Sequence, residues 1–306
     1  MLTAVVTERL SRALGSWAEG QVRGALKSEC QERRVRWHES LAGGWMHVTP
    51  SLPLTEHTVA VEGLPIYYRT GGSGPPLLLL HGFTQVGRLF DPYLDELGKH
   101  YTVIVPDFPG HGRSPRFASA QWSFRATARL LFEFLDNLGV GQVRGIGLSL
   151  GAIVLLCMAA QRPDRVVAVV FSGGGHRLPE KGREDLRGWR WEDWAAEAQE
   201  QFLRRHPGGV PQAQAILAQL RGLADDYDWE LSPEHLATLP TRFLVVMGDR
   251  DELYPTELSV EMYRALPNAA LWVIPGEGHG ALWSSEEAIA TFPTVARRFF
   301  QGDLTG

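Results

Sequence analysis

Cysteine is scarce in this chain of 306 residues: only Cys30 and Cys157, far apart, with no CxxC and no Cys/His cluster near either. That excludes a disulfide scaffold and a structural zinc site, and it fits a reducing intracellular setting. Long apolar runs are missing too, since none reaches the roughly 20 residues of a membrane span. The N-terminal stretch MLTAVVTERLSRALGSW is broken by Glu8, Arg9 and Arg12 and lacks the apolar centre of a signal peptide. Nor is there a surplus of positive charge. Thirty Lys and Arg stand against 35 Asp and Glu, a net charge of −5, with no general pull toward nucleic acid or an anionic membrane. These absences lead us to expect a soluble cytoplasmic protein with no nucleic-acid partner and no stable membrane insertion.

What is present suits a globular enzyme-sized chain. The hydrophobic share is 44% and the charged share 21%, close to soluble averages, and the length fits one large α/β domain with insertions or two modest ones. Ten tryptophans are the one excess. No internal repeat or low-complexity tract is visible.

The chain divides into four pieces. Residues 1–50 form a helical N-terminal extension, with Val6, Leu10, Leu14 and Trp17 at helical spacing. From about Leu54 the pattern alternates strands and helices. HTVAVEG and LPIYYRT read as a hairpin turning at Glu62-Gly63. The runs at Leu77–Leu80 and Tyr101–Asp107 are apolar throughout, as in strands buried inside a parallel sheet. VRGIGL runs into the helix-like LGAIVLLCMAAQ, and RVVAVVFSGG follows. In that helix-like run Cys157 reads as a buried small hydrophobe. The stretch from about Gly175 to Leu239 is strand-poor and carries Trp189, Trp191, Trp194 and Trp229. TRFLVVMGD and ALWVIPG then resume the sheet, with a helix between them and a closing helix near Phe300. The fold class is therefore α/β: a mostly parallel sheet with helices on both faces, residues 51–174 and 232–306 forming the core and 175–231 an inserted helical piece.

Chemistry concentrates in Gly147-Leu148-Ser149-Leu150-Gly151, a G-x-S-x-G between an expected strand and an expected helix. A serine on so sharp a turn needs small neighbours, and the turn lifts its hydroxyl above the carboxyl ends of the strands. A serine hydroxyl is a weak nucleophile near neutral pH, so it needs a base, and the base needs an orienting acid. Among ten histidines, His279 in PGEGHG follows the last strand and falls on the same sheet edge as Ser149. His81 and His111 also follow strands but precede the serine, and we read them as structural. His38, His47, His57 and His206 have no comparable placement. The acid is Asp249 or Asp251, both after FLVVMG.

With serine, acid and histidine in that chain order, the sequence resembles the α/β-hydrolase superfamily. The resemblance adds LLLLHGF as the strand and oxyanion loop, and DFPGHGRS at Asp107–Ser114 as the D-x-P-G-x-G-x-S loop. It covers about Leu54 to Phe300. Its G-x-x-D pattern falls on Gly248–Asp251 and implies Asp251 as the acid beside Ser149 and His279, with the backbone N–H groups of Phe83 and Leu150 as the oxyanion hole. Ser149 stands where the dehalogenase and epoxide-hydrolase branches carry aspartate, and Leu150 where dehalogenases carry tryptophan, which disfavours both. Thr84-Gln85 replaces the GGG run of one lipase group, and the first fifty residues have no counterpart in the minimal fold.

The resemblance implies a cofactor-independent, metal-free serine hydrolase, with 175–231 as a lid hinged at Gly173–Gly175 and a small-molecule ester carrying an apolar part as substrate. Lactones, thioesters, vinylogous diketones and acyl transfer are compatible with the same triad; a non-catalytic receptor or scaffold is the reading from another class. The lid tryptophans suggest an apolar or aromatic-lined pocket, with packing of the lid onto the core the favoured reading, and Glu192, Asp193, Glu197 and Glu200 are expected to form a solvated face. For the N-terminal extension, its mixed charges favour packing on the core or a homodimer contact over a membrane anchor.

Overall fold

The computed structural model describes residues 49–115 and 122–304. The N-terminal extension, its homodimer contact and Cys30 lie outside the described residues. Strands β1 (Leu54–Val61) and β2 (Leu64–Gly72) form the expected hairpin. Glu62 takes φ 50° and Gly63 φ 80° at its turn. Strands β3 (Pro76–Leu80), β4 (Thr102–Pro106), β5 (Val143–Leu148), β6 (Val166–Ser172), β7 (Arg242–Gly248) and β8 (Ala269–Ile274) complete an eight-stranded sheet. Its order is β1-β2-β4-β3-β5-β6-β7-β8, antiparallel at β1/β2 and β2/β4 and parallel elsewhere.

Helices α1 (Asp91–Leu97), α2 (Phe124–Asn137), α3 (Leu150–Gln161), α8 (Thr256–Ala265) and α9 (Glu286–Gln301) flank the sheet, while α4 (Glu180–Arg187), α5 (Ala196–Arg205), α6 (Gly209–Asp225) and α7 (Pro233–Leu236) lie between β6 and β7. One apolar cluster packs α2 and α3 together with the inserted helices; the other packs α1 and α9 on the opposite face of the sheet. Helix α3 is apolar on every side, and ten of its twelve residues are buried, as a helix sandwiched between a sheet and other helices must be.

The strand order reverses between β3 and β5, because the chain runs from β3 outward to β4 and then returns to the other side of β3. Such a switch point opens a crevice at the carboxyl ends of the strands. The Gly82–Phe83 loop follows β3 there, and Ser149 follows β5. Glycine is required at two positions of this elbow. A Cβ on Gly151 would lie 2.0 Å from the Leu80 carbonyl oxygen, and one on Gly147 would lie 2.5 Å from the Ala152 nitrogen.

The inserted helices are tied down at several points. Asp228, on the segment leaving α6, accepts hydrogen bonds from Ser123 Oγ (2.6 Å) and from the amides of Phe124 (3.0 Å) and Arg125 (3.3 Å), capping α2. The Leu231 amide donates to the His176 carbonyl at 2.9 Å, so the entry and exit of the insertion run side by side. Glu192, Asp193, Glu197 and Glu200 on the insertion are exposed, as expected. No helix among the described residues is long and apolar enough to cross a membrane.

Because the clash at Gly151 is with backbone, Gly151→Ala should destabilise the protein by about 3 kcal/mol or more. Gly139 also has positive φ (71°) but open space around it, so Gly139→Ala should cost only about 1 kcal/mol. Urea unfolding of the two variants measures the difference.

Candidate active site

Ser149 lies at the head of α3 with φ 53° and ψ −115°; besides Glu62, it alone among the described non-glycine residues has positive φ. The conformation is strained. It is held by the Ser149 amide donating to the Ser172 carbonyl at 2.8 Å and by the Ser149 carbonyl accepting from the Ile153 amide at 3.0 Å. Leu150 is the first residue of α3, and an α-helix leaves the amides of its first turn without intrahelical acceptors. Across the crevice, Gly82 approaches so closely that a Cβ there would lie 3.6 Å from Ser149 Cβ. The Phe83 amide, in the peptide unit that begins at Gly82, thus belongs to the wall facing the serine.

The two acids after β7 part company. Asp251 is buried; its Oδ2 lies 2.9 Å from His279 Nδ1, and its Oδ1 accepts the amides of Leu253 (2.9 Å) and Tyr254 (3.0 Å). Both carboxylate oxygens are thereby committed. Asp249 instead accepts the Gly276 amide at 2.6 Å and closes the loop that follows β8. That loop meets β7 only because Gly248 has no side chain: a Cβ would lie 2.1 Å from the Glu277 carbonyl oxygen. The His279 ring is buried and stacks on Tyr254, with centroids 5.9 Å apart and planes at 20°.

Ser149 and His279 line one cleft with Gly82, Phe83, Leu148 and Gly280 from the core. Thr84 and Gln85 supply its polar wall, and Leu186, Trp189, Leu220 and Leu253 its apolar wall. The enclosed space is about 40 Å³, room for only a few waters. None of the lining residues is Lys, Arg, Asp or Glu. Among the described residues, no group of three or more His, Cys, Asp or Glu could hold a metal ion.

Of the residues expected at the site, Ser149, His279 and Phe83 line this one cleft, Asp251 lies behind His279 in contact with its Nδ1, and Leu150 follows Ser149 without lining the cleft. Two features sharpen the expectations. The first concerns the tryptophans, for which packing is the favoured expectation and an aromatic-lined pocket the alternative. Trp189, Trp191 and Trp194 do pack edge-to-face or tilted on one another, but Trp189 also faces the cleft beside the serine. Sequence spacing does not reveal that Trp189, just past the end of α4, looks inward. The second concerns Gly173–Gly175, expected as a hinge. Here these glycines are contact points: a Cβ on Gly173 would lie 2.6 Å from the His279 carbonyl oxygen, and one on Gly175 would lie 2.8 Å from the Tyr254 ring.

His81 and His111 are buried and structural, as expected. His81 Nε2 accepts the Phe108 amide at 3.0 Å, which places the proton on Nδ1, 2.7 Å from the Gly82 carbonyl. His111 sets Nε2 2.5 Å from the Phe83 carbonyl and Nδ1 3.2 Å from that of Pro109. Desolvation on burial pushes His81 down to about 4 and His111 down to about 3, from an ordinary 6.5. His206, passed over in the sequence, is buried beside them, its ring centroid 6.1 Å from that of His111.

The chain belongs to the α/β hydrolase family, whose model matches residues 77–292. Among curated relatives it is similar to the lipase LipV of Mycobacterium tuberculosis (strain ATCC 25618 / H37Rv), 41% identical over 104 residues; that match covers 34% of this chain but only 39% of the lipase. It is similar over most of its length to the pimeloyl-[acyl-carrier protein] methyl ester esterase of Vibrio vulnificus (strain YJ016), 25% identical over 73% of this chain and 94% of the esterase. The fold is shared with the solved 2-hydroxy-6-oxo-6-phenylhexa-2,4-dienoate hydrolase from Rhodococcus sp. strain RHA1, with a TM-score of 0.67, 19% identity, and coverage of 81% and 99%. The protein is thus a member of a hydrolase family with esterases among its relatives.

The buried histidines make stability depend on pH. Unfolded, His81 and His111 take up protons near pH 6.5; folded, they refuse them until about pH 4 and 3. The unfolded chain binds more protons in that window, so the stabilisation is complete above about pH 6.5 and is lost as the pH falls. The melting temperature should drop steadily from pH 7 to pH 4, and the slope should flatten in His111→Asn.

Proposed function

We propose that the protein is a serine hydrolase acting on carboxylic esters of small to medium size with an apolar part. The observation that carries this reading is the buried 2.9 Å contact between His279 Nδ1 and Asp251 Oδ2, set in the same cleft as a serine held in a strained turn. Asp251 engages Nδ1, leaving Nε2 as the nitrogen that takes the Ser149 proton. Ser149 Oγ attacks the ester carbonyl. The oxyanion that forms is stabilised by the amides of Phe83 and Leu150, a contribution of a few kcal/mol per donor. His279 then protonates the departing alcohol, and a water activated by the same ring releases the acid from Ser149.

Similarity to a methyl ester esterase over most of the chain supports ester chemistry, and so does the wholly uncharged wall of Leu186, Trp189, Leu220 and Leu253. Helices α4–α6 act as the lid. With about 40 Å³ enclosed, anything larger than a short acyl group needs this lid to lift. The partner is a small-molecule substrate, and no cofactor enters any step.

Ser149→Ala should abolish hydrolysis of p-nitrophenyl butyrate and labelling by a fluorophosphonate probe. Asp251→Asn should keep the fold but lower kcat by about 10³-fold or more. A wild-type enzyme that the probe leaves unlabelled would favour the non-catalytic reading. Trp189→Ala, which opens the apolar wall, should move the preferred ester toward longer acyl chains in a series from acetate to octanoate.

A further inference from the structure

The loop at Asp107–Ser114 touches both the oxyanion wall and the inserted helices. On the core side it bears on the peptides around Phe83 in two ways, alongside the Gln85 amide, which also donates to the Gly82 carbonyl at 3.0 Å. Its Phe108 amide fixes the tautomer of His81, whose Nδ1–H donates to the Gly82 carbonyl. That carbonyl and the Phe83 amide belong to one planar trans peptide unit, so holding the oxygen on one side aims the N–H on the other. The bond also polarises the unit and strengthens its N–H as a donor. The next carbonyl, that of Phe83, faces His111 Nε2 at 2.5 Å. Burial keeps both rings neutral. Each therefore carries one N–H, and its position depends on where the loop sits.

On the other side the loop is gripped by α6. Gln212 Nε2 donates to the Gly110 carbonyl at 2.9 Å and the Gly112 carbonyl at 3.1 Å, bracketing His111, while its Oε1 accepts the Gly208 amide at 2.8 Å. One side-chain amide thus joins the insertion's own α5–α6 turn to the loop that carries His111. The loop has no slack to accommodate a shift. Gly110 and Gly112 have φ of 84° and 50°, and a Cβ on Gly112 would lie 2.1 Å from Asp107 Oδ2. His206, at the end of α5 and stacked on Phe202 with centroids 4.0 Å apart, fills the space against His111.

We propose that Gln212, although outside the catalytic cleft, is a positioning residue for the oxyanion hole: through Gly110, His111 and Gly112 it makes the alignment of the peptides around Phe83 conditional on the lid being seated. The inference rests on the serine-hydrolase reading above. A seated lid would then do more than shut out water. It would complete the oxyanion wall, so lid closure and readiness for attack would coincide.

The test uses the full chain with Gln212→Ala and Gln212→Glu. The glutamate has nearly the same shape and can still accept the Gly208 amide, but its carboxylate cannot donate to the two carbonyls. Both variants should lower kcat for p-nitrophenyl butyrate by about tenfold with KM within about twofold of wild type. Both should weaken inhibition by an alkyl trifluoromethyl ketone, which forms an oxyanion on the serine, by a similar factor. Gln214→Ala, on an exposed part of the same helix, is the control and should change neither. Unaltered kcat with a lowered melting temperature would mean a purely structural tie and overturn the proposal; so would a loss confined to KM, which would mean substrate entry alone. If Ser149→Ala retained full activity, the serine-hydrolase reading itself would fall. Ser149-dependent turnover indifferent to Gln212 would sink only this inference.

Discussion

Helix α3 sits so close to the end of β3 that a single methyl group at Gly151 would strike the Leu80 carbonyl. Much of the site depends on this contact. Close approach of helix and sheet leaves the chain no room for a relaxed turn, and the residue between them must adopt positive φ. Ser149 carries that strain, and the amide-to-carbonyl bond to Ser172 holds it there. The same packing puts the start of α3 beside the loop after β3, so Ser149 and Phe83 follow two strands adjacent in space but some seventy residues apart in the chain. Strain is tolerated because α3 is buried on every side and has no alternative place to lie.

A second set of constraints orients the other half of the cleft. Gly248, Gly173 and Gly175 let three loops approach until they touch, and His279 with its Tyr254 partner is packed between them. Asp251 then uses one oxygen to hold the imidazole and the other to hold its own loop through two amides. A carboxylate fixed in this way cannot swing away from the ring. The imidazole is thus held by Asp251 and by loops whose glycines allow close approach.

The inserted helices are part of the same mechanical unit. Asp228 caps a core helix, Leu231 bonds back to His176, and Gln212 reaches the loop whose His111 meets the Phe83 carbonyl. Their tryptophans form a small aromatic core of their own, from which Trp189 alone turns toward the serine. Insertion and core are thus joined by directional hydrogen bonds from Asp228 and Gln212. General apolar packing carries the rest of the contact.

Most of the strands and the chain order of serine, acid and histidine were legible in the sequence. Both are local properties: apolar runs bounded by glycine and proline define buried strands, and a nucleophile turn needs its glycines within two positions of the serine. The choice of Asp251 over Asp249 came from the resemblance, and its physical reason appears only in three dimensions, where one carboxylate meets the imidazole and the other closes a turn. Tertiary structure alone decided that Trp189 faces the cleft, that Gly173–Gly175 is a contact surface, and that His206 and Gln212 reach His111 and its loop. These depend on where an insertion folds back across a sheet edge, about a hundred residues from the loop it meets. Nothing in the spacing of residues along α5 and α6 encodes that meeting, because it is set by how the whole insertion packs.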